Sequence, residues 1–516
     1  MRKNVLKKLL ALATASVLAF SAVACSSGNT GSSQATSAAS EAAPAASTTA
    51  EAQTQESAGG EATQEAAPAE DIVTLKWVAV GGGMPSNYDA WKEQINAYLA
   101  EKIGVNIEME IVSWGDWGPR RNVIVSTGGD YDILFTNLDT FWSDVNMGAF
   151  TDLTDIVESA APELYSMIPE AYWDACRING QIYAVPTYKD SSQSEFFIWD
   201  EQLAADNEID PSQYTEMADL TPAFEKLSAA LEGDTVFPLF SSGATWISYT
   251  YDQMNTGLNA IGVKYNDPDA KVVAVYEQED MMEILKLFHE WYNAGYINSD
   301  AATAPEENAY KPFGVAQGWA GAAKTTWGPQ MGVDVVAYQW GPTVVSNDTV
   351  RGSMNCISSS CAHPEKALQF LELVNTDSYV RDLLYYGVEG DNWEYTADGK
   401  VHKNNSDWSM AGYTQGTFFN VTPTDDVEFN QWDEVRELNE KAEPSVLLGF
   451  TFDPTNVADQ IANCSSIMEQ YKGELLTGTV DPEVAVPQMM EEMRAAGFDD
   501  IVAEAQAQVD AFMAAQ

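Results

Sequence analysis

The chain has 516 residues, with 77 Asp and Glu against 26 Lys and Arg, for a formal net charge of −51. So large an acidic excess sets aside nucleic acid and anionic lipid surfaces as partners of the folded body, because like charge repels both. The length exceeds that of an ordinary single domain and implies a body with two cores.

The first 24 residues join a basic start (Arg2, Lys3, Lys7, Lys8) to an apolar run, Leu9–Ala24, which ends on small residues. That is the pattern of a secretory signal peptide. Cys25 follows Ala22-Val23-Ala24 directly, and this junction resembles the lipobox of bacterial lipoproteins, whose cysteine becomes the acylated N-terminus. The resemblance implies lipidation of Cys25 and anchorage at the extracellular face of the cell membrane. Residues 25–71 are almost wholly Ser, Thr, Ala, Gly, Gln, Glu and Pro, without an aromatic side chain. Such a segment buries too little apolar surface to offset its ordering entropy and reads as a disordered tether. No later window reads as a transmembrane span, so membrane contact is expected through the lipid alone.

The body, residues 72–516, opens as an α/β unit. Thr74–Val80 alternates as a strand, Gly81-Gly82-Gly83-Met84-Pro85 breaks it, and Asn87–Lys102 carries Trp91, Ile95 and Leu99 at helical spacing. Val105–Val112 alternates as a second strand, a helix is expected over Arg120–Ser126, and Asp132–Phe135 makes a third strand. Strand-helix-strand-helix-strand implies right-handed crossovers and a mainly parallel sheet. Ligands of such sheets bind beyond the carboxyl ends of the strands, here the loops Gly81–Ser86, Ser113–Gly118 and Thr136–Trp142. The triple glycine lacks the spacing of a dinucleotide or nucleotide-phosphate loop.

Farther along, Glu279–Trp291 reads as an amphipathic helix with Met282, Leu285 and Phe288 inward and His289 structural, and Val484–Ala515 as packed surface helices. Cys176, Cys356, Cys361 and Cys464 permit three disulfide pairings or free thiols, and the sequence does not choose among them. Cys356, Cys361 and His363 lack a second ligand pair at zinc-like spacing, so no metal is expected.

Several passages resemble extracellular solute-binding proteins of ABC importers, in their carbohydrate-binding branch. They are Tyr131-Asp132-Ile133 followed by Gly148–Thr154, the stretch Asn179–Pro186, His363–Leu368, Tyr386–Gly390 and Gly449–Asp453. The resemblance implies an α/β, two-lobed periplasmic-binding-protein-like fold with hinge strands between the lobes, closing on its ligand. It divides the chain into signal peptide (1–24), lipidated cysteine and linker (25–71), first lobe (72–187) and second lobe (188–345). A return to the first lobe (346–405) and a C-terminal part completing mostly the second (406–516) follow. Crossings are expected near Thr187–Glu195 and Tyr338–Gly352, with another return later. The implied function is capture of an extracellular sugar or oligosaccharide and its delivery to a membrane permease, by a monomer without enzymatic activity or cofactor.

A neutral sugar is held by aromatic stacking and by planar polar side chains. Trp114, Asp116 and Trp117, set among turn residues, are the foremost candidates, with Asn137, Asp139 and Trp142 after the third strand. Tyr188 and Asp190 stand at the first crossing, Trp246, Trp319, Trp327 and Trp340 in the second lobe, and Glu389 in a later turn. The alternative for each Trp is packing. Two other functions stay open: a receptor for a peptide or osmolyte, and a secreted glycosidase, which needs only a suitably spaced carboxylate pair.

Overall fold

The structure is a computed structural model that describes residues 72–516 except Asn308. The segments read from the sequence as signal peptide, lipidated Cys25 and tether, residues 1–71, lie outside the described residues.

The opening unit runs β1 (Val73–Gly81), α1 (Tyr88–Ile103), β2 (Val105–Ser113), α2 (Trp117–Thr127), β3 (Ile133–Thr136) and α3 (Leu138–Asn146). The sequence expectation for α2 is corrected at its start. Trp117 and Gly118, expected in a loop, form its first turn, and Pro119 is tolerated there because first-turn N–H groups need no helical partner. α1 and α2 each end on a glycine in the left-handed region, Gly104 (φ 66°) and Gly128 (φ 62°).

β1 pairs in parallel with β2 and with β3, so all three strands end on one edge of the sheet. The strand Met354–Ile357 returns to this sheet antiparallel to β3, and Val185–Pro186 closes the order. Trp77 and Trp91 are fully buried there. Each keeps its indole N–H bonded, to Asn355 Oδ1 (3.0 Å) and the Leu383 carbonyl (2.7 Å), as burial of a polar atom requires.

This first core draws on residues from Leu75 to Tyr188 and again from Val345 to Val435. A second core draws on Phe197 to Trp340 and Leu447 to Val509. The second lobe's main sheet has Gln193–Asp200 between Phe313–Gln317 and Val335–Val345, all antiparallel, with Glu443–Pro444 parallel at the edge. The chain therefore passes between cores three times, at 188–197, 340–345 and 435–447. Met410, Phe418, Val421, Trp432 and Val435, grouped from the sequence with the C-terminal part, bury their side chains in the first core.

The Glu279–Asn293 helix buries Met281, Leu285, Phe288 and Trp291, so Met281 takes the inward place expected of Met282. His289 Nδ1 lies 2.9 Å from the Gly478 carbonyl, a structural contact between helical layers. Helices Ala458–Leu475, Pro482–Ala495 and Phe498–Ala515 complete the second lobe. Cys176, Cys356, Cys361 and Cys464 are free thiols. Among the described residues no helix is long and apolar enough to cross a membrane, and no group of three or more His, Cys, Asp or Glu is placed to hold a metal ion.

Candidate functional site

The carboxyl edge of the first sheet is covered by the segment 408–417. Gly81 bridges to Met410, and the Gly82 N–H donates to the Ser409 carbonyl at 3.0 Å. A Cβ on Gly82 would stand 2.9 Å from the Ser409 Cβ. The glycine run thus admits a close backbone approach.

On this edge the structure assembles an aromatic group. Trp114, 54% exposed, lies nearly parallel to Tyr413, with ring centroids 6.0 Å apart and planes at 11°. Phe135 meets Tyr413 edge-on at 6.4 Å, and Trp117 leans on Phe135 at 5.7 Å. Lys189, at the first crossing, sets its Nζ 5.9 Å from the Tyr413 ring centre and pairs with Asp190 at 2.5 Å. Asp116 accepts from the Ser113 hydroxyl at 2.6 Å, which shapes the turn beneath Trp114. Flat apolar rings beside one cation and one carboxylate match what a polyhydroxylated ring presents, C–H faces and hydroxyl edges.

The seat of Tyr413 is built from below. Ser353 Oγ donates to the Tyr413 carbonyl (2.7 Å), and Asn355 Nδ2 donates to the carbonyls of Thr414 and Gln415 (3.1 Å each). Arg381, fully buried, donates to the carbonyls of Thr417 (2.6 Å) and Gly412 (2.9 Å) and to Gln415 Oε1 (2.8 Å). Tyr413 and Arg381 are absent from the sequence candidates, and Lys189 stands in the candidate crossing stretch between Tyr188 and Asp190. The available signal for Tyr413 was an aromatic beside glycine in a loop, Gly412-Tyr413, the same signal that marks Trp114.

The remaining candidates are distributed. Asn137 donates to Asp139 at 3.0 Å, and the intervening Leu138 carbonyl accepts from Asn255 of the second lobe at 3.2 Å, so this pair stands where the lobes meet. Trp142 is half-buried against the first core. Tyr188 is buried, wedged edge-on between Tyr172 (5.2 Å) and Phe419 (5.0 Å). Glu389 accepts from the Tyr379 hydroxyl at 2.8 Å, and its own N–H donates to Gln94 on α1, which holds it within the first lobe. In the second lobe Trp340 is buried, stacked on Phe197 (5.9 Å) and edge-on to Trp246 (5.5 Å) and Tyr249 (5.7 Å). Trp327 packs on Phe196 across the sheet, and Trp319 against Trp432 of the first core.

Beside Trp340 in the ladder sits Glu195, which is 1% exposed. Gln193 donates to its Oε1 at 2.8 Å, while its Oε2 has no partner. Burial pushes its carboxyl up to about 8 from an ordinary 4.5. The folded state keeps this proton where the unfolded chain has lost it. The stability this gives is full below 4.5 and is lost as the pH rises to about 8. Glu195→Gln is expected to remove that slope. Urea denaturation at about pH 5 and pH 8 should show the wild type losing roughly 2–4 kcal/mol more than the variant between them; equal losses would refute it.

Residues 93–387, more than half of the chain, match the family described as bacterial extracellular solute-binding protein. Residues 446–514 match a domain of unknown function, DUF3502. The chain is 29% identical over 473 residues to a carbohydrate ABC transporter substrate-binding protein of Streptococcus pneumoniae serotype 4, covering 87% of this chain and 93% of the relative. It superimposes with a TM-score of 0.76, at 27% identity, on the N-glycan transport solute binding protein NgtS of Streptococcus pneumoniae, covering 85% of this chain and 99% of that one. Complexes of NgtS with Man1GlcNAc and Man5GlcNAc superimpose at 0.65 and 0.62, with 27% and 26% identity. They cover 85% and 86% of this chain and 99% of each relative. With two α/β lobes, three crossings and this match, the chain belongs to the bacterial extracellular solute-binding proteins.

Proposed function

We propose that this chain is the substrate-binding component of a carbohydrate ABC importer and captures an oligosaccharide between its lobes. The observation that carries this reading is the Trp114–Tyr413 pair at the carboxyl edge of the first sheet, flanked by Lys189 and Asp190 where the chain first leaves that lobe. Trp117 and Asp116 support the pair, while Asn137, Asp139 and Asn255 line the junction of the lobes. Trp246, Trp319, Trp327 and Trp340 stand as the second lobe's candidates, and Glu389 as a peripheral one. Tyr188 and Trp142 act as packing behind the site. The relatives named for carbohydrate and N-glycan transport favour a glycan over a peptide.

The first lobe is 72–188 with 345–442, and the second 189–344 with 443–516. A lipid on Cys25 anchors the protein outside the cell, and the tether keeps it at high local concentration near the permease. It works as a monomer, and the sugar leaves chemically unchanged. Closure follows from linkage: a ligand that touches both lobes only when they approach shifts the population toward that form.

A thermal-shift screen against mannose- and N-acetylglucosamine-containing oligosaccharides, other sugars, short peptides and betaine-like solutes tests this. Ligand at 100 times its Kd should add about 2.7 kcal/mol to stability. A shift with oligosaccharides, with the sugar recovered intact by chromatography, is the expected result. A shift with peptides alone overturns the substrate, and cleaved sugar overturns the receptor.

A further inference from the structure

Glu434 lies on the helix Gln431–Lys441, which the first lobe holds. Trp432 and Val435 of that helix are buried in the first core, and Arg436 donates to the Phe419 carbonyl at 3.2 Å. Across the lobe boundary, the turn after the second-lobe strand Phe313–Gln317 brings two backbone donors to Glu434. Ala320 N–H donates to Oε1 and Gly321 N–H to Oε2, both at 2.8 Å. Trp319 leans on Trp432 beside them, ring centroids 5.8 Å apart. A Cβ on Gly321 would stand 3.0 Å from the Phe429 ring and 3.1 Å from Glu434 Oε2, so the approach is close enough to favour glycine. A carboxylate taking two N–H bonds is a charge-assisted grip, stronger than a neutral contact.

This grip is made in a lobe arrangement that superimposes less well on the NgtS complexes with Man1GlcNAc and Man5GlcNAc, at 0.65 and 0.62, than on another NgtS structure, at 0.76. We propose that Glu434 sets the receptor's affinity as a brake: its hold on the Ala320–Gly321 backbone keeps the lobes apart and is released when the cleft closes on sugar. The inference rests on the capture-by-closure reading above. Free energy that favours the open form is subtracted from ligand binding, so a weakened grip tightens binding without touching the sugar.

Glu434→Ala is expected to lower the Kd for a mannose–N-acetylglucosamine oligosaccharide by roughly three- to thirtyfold. The ligand-free variant should also scatter as a more compact particle than the wild type. Glu434→Gln, which keeps one acceptor oxygen, should fall between the two. Gly321→Ala attacks the same contact from the other lobe and should act in the same direction, and combining it with Glu434→Gln should add little to the larger single effect. Glu437→Gln, exposed on the same helix and paired with Lys441, should change nothing. Should Glu434→Ala fail to fold, Glu434→Gln and Gly321→Ala carry the test. Unchanged or weaker sugar binding with an unchanged ligand-free envelope overturns the brake. Compaction of the ligand-free variants, with no sugar bound by any form, keeps the brake and overturns the sugar reading instead.

Discussion

Trp114→Ala is expected to weaken oligosaccharide binding about tenfold to hundredfold, the loss typical when an aromatic anchor is cut away. Trp114 is 54% exposed and its ring touches Tyr413 rather than the core. Removing it therefore opens no cavity, and stability should stay within about 0.5 kcal/mol of the wild type. Tyr413→Ala should give a similar loss, and the double variant less than the sum, because the two rings form one surface. Titration calorimetry on the three variants, with denaturation curves alongside, separates the effects. Unchanged affinity in both single variants would remove this edge from the site.

Arg381→Ala should cost about 3–5 kcal/mol of stability, because it leaves several buried acceptors unpaired at about 1–3 kcal/mol each. The guanidinium is fully buried, and burial lowers its pKa to about 10. Its donors serve the carbonyls of Gly412, Gly416 and Thr417 and the side chain of Gln415. Alanine leaves the carbonyls of Gly416 and Thr417 and Gln415 Oε1 without a donor inside the protein, while the Gly412 carbonyl keeps the Gln415 N–H at 3.3 Å, and each such loss is expensive. Because Gly412–Thr417 carries Tyr413, a folded remnant should also bind sugar poorly. Arg381→Lys keeps a charge but cannot fork to several acceptors, so it should recover only part of the loss. Urea denaturation reads the result; a loss below about 1 kcal/mol would mean that the segment is held elsewhere.

The opening strands and helices were legible because each has an unambiguous period and a clear stop. Trp91, Ile95 and Leu99 share one face of α1, and Gly104 ends it. The start of α2 was not legible: Gly118 and Pro119 look like turn residues, yet Pro suits a first helical turn. The Trp114 loop was visible because an indole between turn residues has no core to enter. Tyr413 carried a similar local signal, but its value depends on Arg381, Asn355 and Ser353 from distant segments, which no local pattern reveals. Tyr188 shows the opposite case. A polar crossing invited a ligand role, and long-range packing on Tyr172 and Phe419 buried it instead. The membership of 410–435 in the first core was likewise hidden, because a late crossing leaves only short strands as its trace.

The most direct test of the central claim is a crystal structure of the protein grown with the oligosaccharide that gives the largest thermal shift. The account predicts a pyranose ring seated on Trp114 and Tyr413, hydroxyls within hydrogen-bond reach of Lys189 or Asp190, and the second lobe drawn toward the first. Sugar bound away from this edge, with Trp114 still bare and the lobes unmoved, would contradict it.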